Sequence, residues 1–250
     1  MRIARVRYQG KTATAIIEGD TAHLVSGTPF GKLERTGIAV PLARVDLLVP
    51  VQPTNIIAMA VNYHSHAGDR TVSPKPEAFW KSRSSLIGPG EDIVIPAGAE
   101  NVHAEAEVVV VVGRRARNVR AADADRYIFG YTAGNDVSAR DWQRSDTQWW
   151  RAKSSDTFTA VGPWIETDLG PDKIAVEGRI SGRRIQRGDT SELVHSIRAC
   201  IEAITAVVTL ERGDIIFTGT PETTAPMAPG DVAEVEVEGV GILRNPVVAG

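Results

Sequence analysis

Two glutamates at the head of a long apolar stretch are the residues whose type and spacing most directly suggest chemistry. Glu105 and Glu107 lead into five consecutive valines closed by a glycine, residues 108–113, a pattern typical of a strand buried on both faces. Successive side chains of a strand alternate between its faces, so both carboxylates are expected on the same face. Like charges held close together and away from water repel each other, and a proton or a divalent cation would relieve that repulsion.

A second strand-like run supplies a third carboxylate. Residues 130–141 end in a dense polar cluster that contains Asp136. Three carboxylates from two strands would form one facial set for an octahedral ion, and the remaining positions would stay open for water and substrate. Oxygen ligands in this number suit Mg²⁺ or Mn²⁺, and the absence of cysteines or an HxxxH cluster nearby argues against zinc. The alternative is a strand end with two solvated glutamates.

The segment of residues 61–70 carries two histidines, an aspartate and several small residues. Its weak periodicity predicts a mobile loop that could close over a site, and the prolines at positions 74 and 76 would stiffen its far end. If residues 66 to 69 form a helical turn, His66 and Asp69 lie at positions i and i+3, where the carboxylate can orient the imidazole. The alternative is that both are exposed loop residues.

Other polar groups follow Asp136 along the chain. Arg140, Gln143 and Lys153 could hydrogen-bond a substrate carboxylate or a developing negative charge, with Lys153 acting as a compact cation. The tryptophans of this region, which could line a pocket wall or pack in the core, are Trp142, Trp149 and Trp150. Further on, the glycine of the Thr218–Pro221 bend lets backbone N–H groups approach an anion.

Composition limits the class of protein. The chain has 250 residues, 42% of them hydrophobic and 24% charged, enough for one sizeable core or for a main domain with a small appendage. Its 28 basic and 31 acidic residues give a net charge of -3 and form no block of one sign, so we expect no nucleic-acid and no membrane partner. A single cysteine excludes an intramolecular disulfide, and no signal-peptide or transmembrane pattern is visible, so we expect a cytoplasmic protein.

Short strands separated by turns fill the first fifty residues. Alternating polarity predicts three of them, at Arg2–Tyr8, Thr12–Glu18 and Thr21–Val25. The Pro53-Thr54 pair that follows is the expected boundary. We therefore predict a small N-terminal β domain over residues 1–52 and a metal-dependent catalytic domain over residues 53–250.

One long helix is predicted in the C-terminal part, over residues 190–210. Its apolar residues recur at helical spacing, and Asp189 with the glutamate three residues later resembles a capping box. Cys200 lies on the apolar face and is expected to be a buried small hydrophobe, whereas His195 lies on the polar side and is expected at the surface. Most of the remaining pattern is strand-like, so the expected fold class is α+β and strand-rich.

Seven motifs follow one another along the chain, and together they are far more specific than any one alone. They are residues 105–113, Gly130–Asp141, Phe79-Trp80-Lys81, Lys153 with the residues before it, Gly162-Pro163-Trp164, Gln186 and Gly219-Thr220-Pro221. With these motifs, roughly residues 53 to 248 resemble the fumarylacetoacetate hydrolase superfamily.

The resemblance implies both a fold and a site. The fold would be a mixed β-roll catalytic domain of the fumarylacetoacetate hydrolase C-terminal type, and the protein would be a homodimer. The metal ligands would be Glu105, Glu107 and Asp136, holding Mg²⁺ or Mn²⁺. The catalytic residues would be His66, Asp69 and Lys153, and the substrate-binding residues would be Arg140, Gln143, Lys81, Gly219 and Thr220.

Three positions depart from the family pattern. Asp69 stands where the family usually carries glutamate, and Ser181-Gly182-Arg183 stands where an Asn-Gly-Glu turn is usual. Residues 222–224, Glu-Thr-Thr, follow the Gly-Thr-Pro turn where glycines are common. The departures change the His66–Asp69 pair and the wall of the pocket, and they leave the predicted metal ligands in place.

Family members hydrolyse C–C bonds of acylpyruvates, decarboxylate oxaloacetate-like acids, or tautomerise and isomerise related dienoates. In each reaction negative charge must settle on a small anionic 2-oxo acid, and a divalent cation stabilises that charge. Hydrolysis also needs a base that activates water, and His66 and Asp69 are both present, so a hydrolase of an acylpyruvate-like 2,4-dioxo acid is favoured. The alternatives are a decarboxylase or tautomerase, a lyase acting on a sugar-derived 2-oxo acid, and a binding protein without catalysis.

Overall fold

The computed structural model describes residues 1–68 and 71–250 of the chain. Strands dominate this described part. In chain order they are β1 (Arg2–Tyr8), β2 (Lys11–Glu18), β3 (Thr21–Ser26), β4 (Glu34–Pro41), β5 (Asp46–Leu48), β6 (Ile56–Met59), β7 (Ala78–Lys81), β8 (Leu86–Ile87), β9 (Ile93–Ile95), β10 (Val102–Ala104), β11 (Ala106–Val112), β12 (Ile128–Asp136), β13 (Ser138–Ala139), β14 (Thr159–Glu166), β15 (Ala175–Ile180), β16 (Arg183–Asp189), β17 (Ile215–Phe217), β18 (Ala225–Pro226), β19 (Val232–Val237) and β20 (Gly241–Ala249).

The helices of the described residues are short. The α-helices are α1 (His64–Ala67), α2 (Arg140–Ser145), α3 (Trp150–Ser154) and α4 (Ile197–Val207), and 3₁₀ turns span Leu42–Arg44, Arg83–Ser85, Ala121–Tyr127 and Thr190–Glu192. Among these residues we find no helix with the length and apolar character that crossing a membrane requires. The strand-rich α+β class predicted from the sequence is confirmed.

The strands of the described residues form three sheets. The largest has twelve strands along the path β4-β3-β2-β1-β14-β12-β11-β17-β6-β7, with β5 and β8 pairing beside β1 and β14. A five-stranded sheet has the order β16-β15-β19-β20-β9, and a three-stranded sheet has the order β13-β10-β18. Most neighbours are antiparallel, but β17 and β6 run parallel, so the large sheet is mixed.

β11 lies between two cores. All seven of its residues are buried. Val108 and Val110 pack in the core that also includes Val235 of the five-stranded sheet, while Val109 packs in a second cluster with Phe217. Complete burial of an apolar side chain of this size stabilises the fold by about 1.5–3 kcal/mol. The prediction of a strand buried on both faces is confirmed, and packing on both faces fixes the strand that carries Glu107.

The N-terminal strands continue the large sheet. β1 pairs antiparallel with the end of β14, with Arg2 opposite Glu166 and Ile3 opposite Ile165. The three strands predicted in this region are present within one residue at each end, and β4 is an additional strand that the sequence analysis missed. One hydrogen-bonded sheet therefore runs through both sequence regions, and the domain boundary after residue 52 stays a prediction.

The prediction of a helix over residues 190–210 is wrong for the first third of that range. Residues 190–192 form a separate 3₁₀ turn, and α4 begins only at Ile197. Asp189 does act as a cap, but it caps the 3₁₀ turn by accepting a hydrogen bond from the Ser191 N–H at 2.8 Å. Ser196 caps α4 instead.

Asn62 accounts for the break before α4. Its Oδ1 accepts from His195 N at 2.9 Å, its Nδ2 donates to His195 O at 3.1 Å, and its carbonyl accepts from Val194 N at 2.9 Å. These bonds to a distant segment satisfy backbone groups that a helix would have paired internally. His195 is half-buried and its Nε2 donates to Ser73 O at 3.0 Å, so the predicted surface position is wrong. Cys200 is buried as predicted, and burial raises the pKa of its thiol to about 12.

Candidate metal centre and active site

Three carboxylates meet at the head of β11. Glu105 directly precedes the strand, Glu107 lies within it, and Asp136 ends the neighbouring strand β12. The two strands pair antiparallel, and Asp136 N donates to the Glu105 carbonyl at 3.0 Å. All three side chains are buried, and one oxygen of each lies within 4.8 Å of the others. The three predicted metal ligands therefore form one compact group.

Three cations surround two of these carboxylates. Lys153 of α3 lies 2.5 Å from both Glu105 Oε2 and Asp136 Oδ2. Lys81 of β7 contacts the other oxygen of Asp136, and Arg140 contacts the other oxygen of Glu105. Burial opposes the charge of Lys153, but Asp136 and Glu105 outweigh that effect and raise the pKa of its ammonium group. Glu105 and Asp136 thus have two cationic partners each.

Glu107 has no cationic partner within the part of the chain that the structure describes. Its Oε2 accepts a hydrogen bond from Gly219 N at 2.7 Å. Burial, reinforced by the charges of Asp136 and Glu105, raises the pKa of Glu107 well above its usual range. Burial acts on Glu105 in the same direction, yet Lys153 and the nearby arginine outweigh it and hold the pKa of Glu105 below its usual range. Without a further cation, a proton is therefore favoured on Glu107 over Glu105.

A hard divalent cation fits this donor set. The three ligand atoms are carboxylate oxygens, the type that Mg²⁺ and Mn²⁺ prefer. When all three carboxylates are ionised, the three surrounding cations neutralise their negative charge. A bound divalent ion would then add two positive charges, which an anionic substrate can balance. Glu105, Glu107 and Asp136 would hold the ion, and its identity as magnesium or manganese stays a prediction.

The carboxylate group lies at the bottom of a cavity with two chambers. The inner chamber has a volume of about 30 Å³ and is lined by Glu105 and Glu107 among others, which leaves room for about one water molecule. The outer chamber has a volume of about 410 Å³. The side chains that line both chambers are His66, Arg140, Gln143 and Trp149.

One of the three tryptophans lines the cavity, and the other two do not. Trp149 makes an edge-to-face contact with Phe79, with 5.3 Å between the ring centroids. Trp142 packs against the core, and Trp150 is 71% exposed. The pocket-wall alternative therefore holds for Trp149 alone.

His66 lies in α1, within the segment predicted to close over the site. Its Nδ1 is 2.7 Å from Glu222 O. Because a carbonyl oxygen can only accept, Nδ1 is the donor in this contact. Ser65 Oγ accepts from Glu222 N at 3.1 Å, so two contacts anchor α1 to residue 222. Asp69 lies outside the described residues, and its pairing with His66 stays a prediction.

The Gly219-Thr220-Pro221 turn holds the head of β11. The glycine of this bend was predicted to let a backbone N–H approach an anion. The Gly219 N–H donates to the carboxyl group of Glu107. The φ angle of Gly219 is +104°, and a Cβ there would lie 2.9 Å from Asn62 Cβ, so this position requires glycine. Thr220 Oγ1 donates to Ala106 O at 2.9 Å and accepts from Gln186 Nε2 at 2.7 Å. Substrate contact by Gly219 and Thr220 stays a prediction.

The other predicted substrate-binding residues lie in two different surroundings. Arg140 Nη1 donates to Gln143 Oε1 at 2.6 Å, and both residues line the cavity. The side chain of Lys81 is fully buried and its ammonium group donates to Asp136 and to the carbonyl of Lys153, and its contact with substrate stays a prediction. Burial lowers the pKa of Lys81, against the attraction of Asp136. We therefore assign Lys81 to holding Asp136.

His103 and Thr224 also contact the site, although the sequence pattern indicated no role for His103 and predicted for residues 222–224 only a changed pocket wall. His103 Nδ1 lies 2.7 Å from Thr224 Oγ1, and that hydroxyl accepts from Arg140 Nη2 at 2.9 Å. Burial and the charge of Arg140 lower the pKa of His103 to about 4. The alternation that groups Glu105 with Glu107 extends back to residue 103 and could have indicated the histidine. Thr224 is 84 positions from Arg140 and has no such local pattern.

Comparison with known proteins identifies the family. Residues 55–248 match the family described as Fumarylacetoacetate (FAA) hydrolase C-terminal, and residues 1–50 match the one described as Rv2993c-like, N-terminal. The chain belongs to the fumarylacetoacetate hydrolase family. The resemblance inferred from the seven motifs is thus confirmed.

Fumarylacetoacetate hydrolase relatives differ in their reactions. The crystal structure of 2-hydroxyhepta-2,4-diene-1,7-dioate isomerase from Mycobacterium marinum is 41% identical, with a TM-score of 0.94 over 100% of this chain and 98% of that chain. The oxaloacetate tautomerase FAHD2A, mitochondrial, of Homo sapiens is 34% identical over 84% of this chain and 71% of its own length. The maleylpyruvate hydrolase from Sphingobium sp. SYK-6, in complex with manganese(II) ion and pyruvate, is 29% identical, with a TM-score of 0.84 over 100% of both chains. Fumarylacetoacetate hydrolase membership therefore indicates an enzyme without deciding the reaction.

The position of Lys153 between two buried carboxylates leads to a stability prediction. Replacing Lys153 with methionine keeps most of the apolar stem and removes the charge that Glu105 and Asp136 share. We expect the free energy of unfolding of the metal-free protein to fall by about 3–5 kcal/mol, the usual cost of breaking a buried ion pair from one side. Urea unfolding at neutral pH measures this.

The matched control is Lys32→Met. Lys32 pairs with Glu34 at 2.7 Å, but the two side chains are 85% and 62% exposed, and such pairs contribute about 0–1 kcal/mol. A Lys153→Met variant as stable as this control would contradict the assignment of Lys153 as the shared counter-ion.

Proposed function

We propose that the protein is a divalent-metal-dependent hydrolase that cleaves a C–C bond of an acylpyruvate-like 2,4-dioxo acid. The observation that carries the proposal is that His66 lines the same cavity as Glu105 and Glu107, two members of the three-carboxylate group. The chemistry supplied by a bound divalent cation is polarisation of the 2-oxo group and stabilisation of the charge that develops there. His66 supplies what hydrolysis needs in addition, a ring nitrogen that accepts a proton from water.

Charge around the cavity supports an anionic substrate. Arg140 and Lys153 line the inner chamber and can donate hydrogen bonds to the carboxylate of a 2-oxo acid. Gln143 adds an amide at the same wall. Arg140 and Gln143 line both chambers, so the 2-oxo acid end of the substrate would bind where the two chambers meet, with its acyl end in the outer chamber.

The proposed reaction begins when the His66 imidazole, which lines the cavity, takes a proton from a water molecule and the water oxygen attacks the distal carbonyl carbon of the substrate. The C–C bond beside that carbonyl then breaks, and its electron pair stays on the 2-oxo acid fragment. The proton on His66 passes to this fragment, and the acyl part leaves as a carboxylic acid. The hydrogen bond from Nδ1 to Glu222 O supports this role by fixing the orientation of the imidazole at the cavity.

The outer chamber supports a second negative charge on the substrate. Arg144 lines it, and no carboxylate in the described residues lies within ion-pair distance of this guanidinium. An unpaired arginine at the mouth of a cavity can bind a carboxylate in bidentate fashion. An acylpyruvate with a terminal carboxylate would therefore be preferred over one without it.

Two other reactions remain as candidates. Isomerisation or tautomerisation, and decarboxylation of oxaloacetate-like acids, would use the same cations and would need no water activated by His66; the isomerase and tautomerase relatives support this alternative. A lyase for a sugar-derived 2-oxo acid is the second, because Thr223 and Thr224 give the outer chamber a polar wall.

One assay distinguishes the proposed hydrolase from these alternative enzymes and from a binding protein without catalytic activity. The purified chain would be incubated with Mg²⁺, Mn²⁺ or EDTA and with maleylpyruvate, acetylpyruvate, oxaloacetate or a sugar-derived 2-oxo acid. We expect metal-dependent C–C cleavage that is fastest with maleylpyruvate. Turnover of oxaloacetate or the sugar acid alone, or cleavage that EDTA does not affect, would contradict the proposal. The predicted homodimer stays a prediction, which the molar mass from light scattering tests.

A further inference from the structure

The three-stranded sheet supports polar groups around the metal centre. Glu105 directly follows β10, Arg140 directly follows β13, and Thr224 directly precedes β18. His103 lies in the middle strand, where it is opposite Ser138 on one side and β18 on the other. The sheet thus fixes the backbone positions of these side chains relative to one another.

A continuous chain of hydrogen bonds links these residues. Arg140 Nη2 contacts Glu105 Oε1 and lies 2.9 Å from Thr224 Oγ1. Thr224 Oγ1 lies 2.7 Å from His103 Nδ1, and His103 Nε2 lies 2.8 Å from Asn101 Oδ1. Four side chains in sequence, those of Asn101, His103, Thr224 and Arg140, therefore connect to the predicted metal ligand Glu105.

The direction of each bond follows from the chemistry of the groups. The Arg140 guanidinium can only donate, so the Thr224 oxygen accepts from it. The single hydroxyl proton of Thr224 then goes to His103 Nδ1, which must be unprotonated. His103 Nε2 carries the proton of the neutral ring and donates to Asn101 Oδ1. Every donor in the chain has an acceptor, which is the arrangement that holds a side chain in one orientation.

We infer, resting on the function proposed above, that Thr224 and His103 are positioning residues which hold the Arg140 guanidinium oriented for the substrate carboxylate. Arginine has several rotatable bonds, and fixing its planar donor group before binding lowers the entropy lost when the carboxylate is bound. A glycine at position 224 would have no hydroxyl to make this link. The Glu-Thr-Thr sequence after the Gly-Thr-Pro turn therefore has a physical role in this chain.

Oxalate binding to the Mn²⁺-loaded protein tests the inference without requiring turnover. Oxalate carries the adjacent carboxylate and oxygen acceptor of a 2-oxo acid, and its affinity can be measured by calorimetry. We expect Thr224→Val, which keeps the shape and removes the hydroxyl, to weaken oxalate binding roughly 10-fold, the usual size for loss of a hydrogen bond to a charged group. Thr224→Ser should restore most of the affinity.

A double-mutant cycle with Arg140→Ala separates positioning from a general structural role. Thr224→Val should have no further effect once Arg140 is absent, because its contribution acts through the guanidinium. Equal losses in both backgrounds would overturn the inference, as would a Thr224→Val variant that binds oxalate like the wild type while Arg140→Ala binds it weakly.

The same measurements distinguish a failure of this inference alone from a failure of the proposed function. If Arg140→Ala binds oxalate like the wild type, or if the wild type does not bind oxalate at all, then Arg140 is not a substrate contact and both proposals fall. Calorimetry with Mn²⁺ alone serves as the control, since Thr224→Val should leave metal affinity within roughly threefold of the wild type.

Discussion

Replacing Glu107 with glutamine is expected to abolish divalent-metal binding while leaving the metal-free protein folded. Glu107 has no cationic partner in the described chain, and burial with the charges of Asp136 and Glu105 raises its pKa, which favours the protonated form when no metal is bound. Glutamine reproduces the size and the neutral charge of this state, and its oxygen can accept the Gly219 N–H. The variant removes one of three ligands and the negative charge on which metal affinity depends.

Thermal unfolding with and without Mn²⁺ measures both effects. At a metal concentration of about 100 times the dissociation constant, the wild type should gain about 2.7 kcal/mol, or about 5–10 °C in melting temperature. The Glu107→Gln protein should show no such shift. Glu105→Gln is the contrasting variant, because it leaves Lys153 and Arg140 with less negative charge to balance and should destabilise the metal-free fold. A metal-induced shift of normal size in Glu107→Gln would contradict the ligand assignment.

The pH dependence of the metal-free protein follows from the same carboxyl group. The folded-state pKa of Glu107 is raised, so between the unfolded pKa and the folded pKa the folded state binds more protons than the unfolded state. Stability from this group is therefore present at low pH and is lost as pH rises through that window. Glu107→Gln should remove this loss, and near neutral pH the metal-free variant should be at least as stable as the wild type.

Replacing His66 with alanine is expected to lower acylpyruvate cleavage by roughly 10²–10⁴-fold, the usual size of a general-base contribution. Hydrolysis needs water to lose a proton, and the imidazole of His66 lines the cavity where it can accept that proton. Decarboxylation or tautomerisation of oxaloacetate needs no such water. The same variant should therefore keep much of either activity, and steady-state assays on both substrates measure the difference.

His64→Ala is the matched control, since this exposed histidine lies in the same helix two positions away. It should retain both activities. An equal loss of cleavage and decarboxylation in His66→Ala would indicate that His66 closes the lid or positions the substrate. The chain would then be a decarboxylase or tautomerase of the same family.

The metal-ligand group could be predicted from the sequence because its evidence is local. The valine run fixes which residues of β11 are buried, and alternation then places Glu105 and Glu107. Asp136 was predictable because it ends the next strand-like run, and antiparallel neighbours bring such ends together.

Other features depended on contacts between distant segments. The helix expected over residues 190–210 has good periodicity, but Asn62 pairs with the backbone of residues 194–195 and prevents its first turns. The contact of Lys81 with Asp136 joins β7 to the end of β12, two segments that are far apart in the chain. Periodicity within one segment contains no information about these partners.

The pairing of β1 with β14 has a consequence for the enzyme as a whole. Two short strands from different parts of the chain cover the outer edge of β14, β8 along its start and β1 along its end. If the first strand detached, the N–H and C=O groups near Glu166 would be open to another chain, and an open edge of this kind promotes aggregation. The N-terminal region therefore protects the edge of a strand whose other side pairs with β12, the strand that carries Asp136.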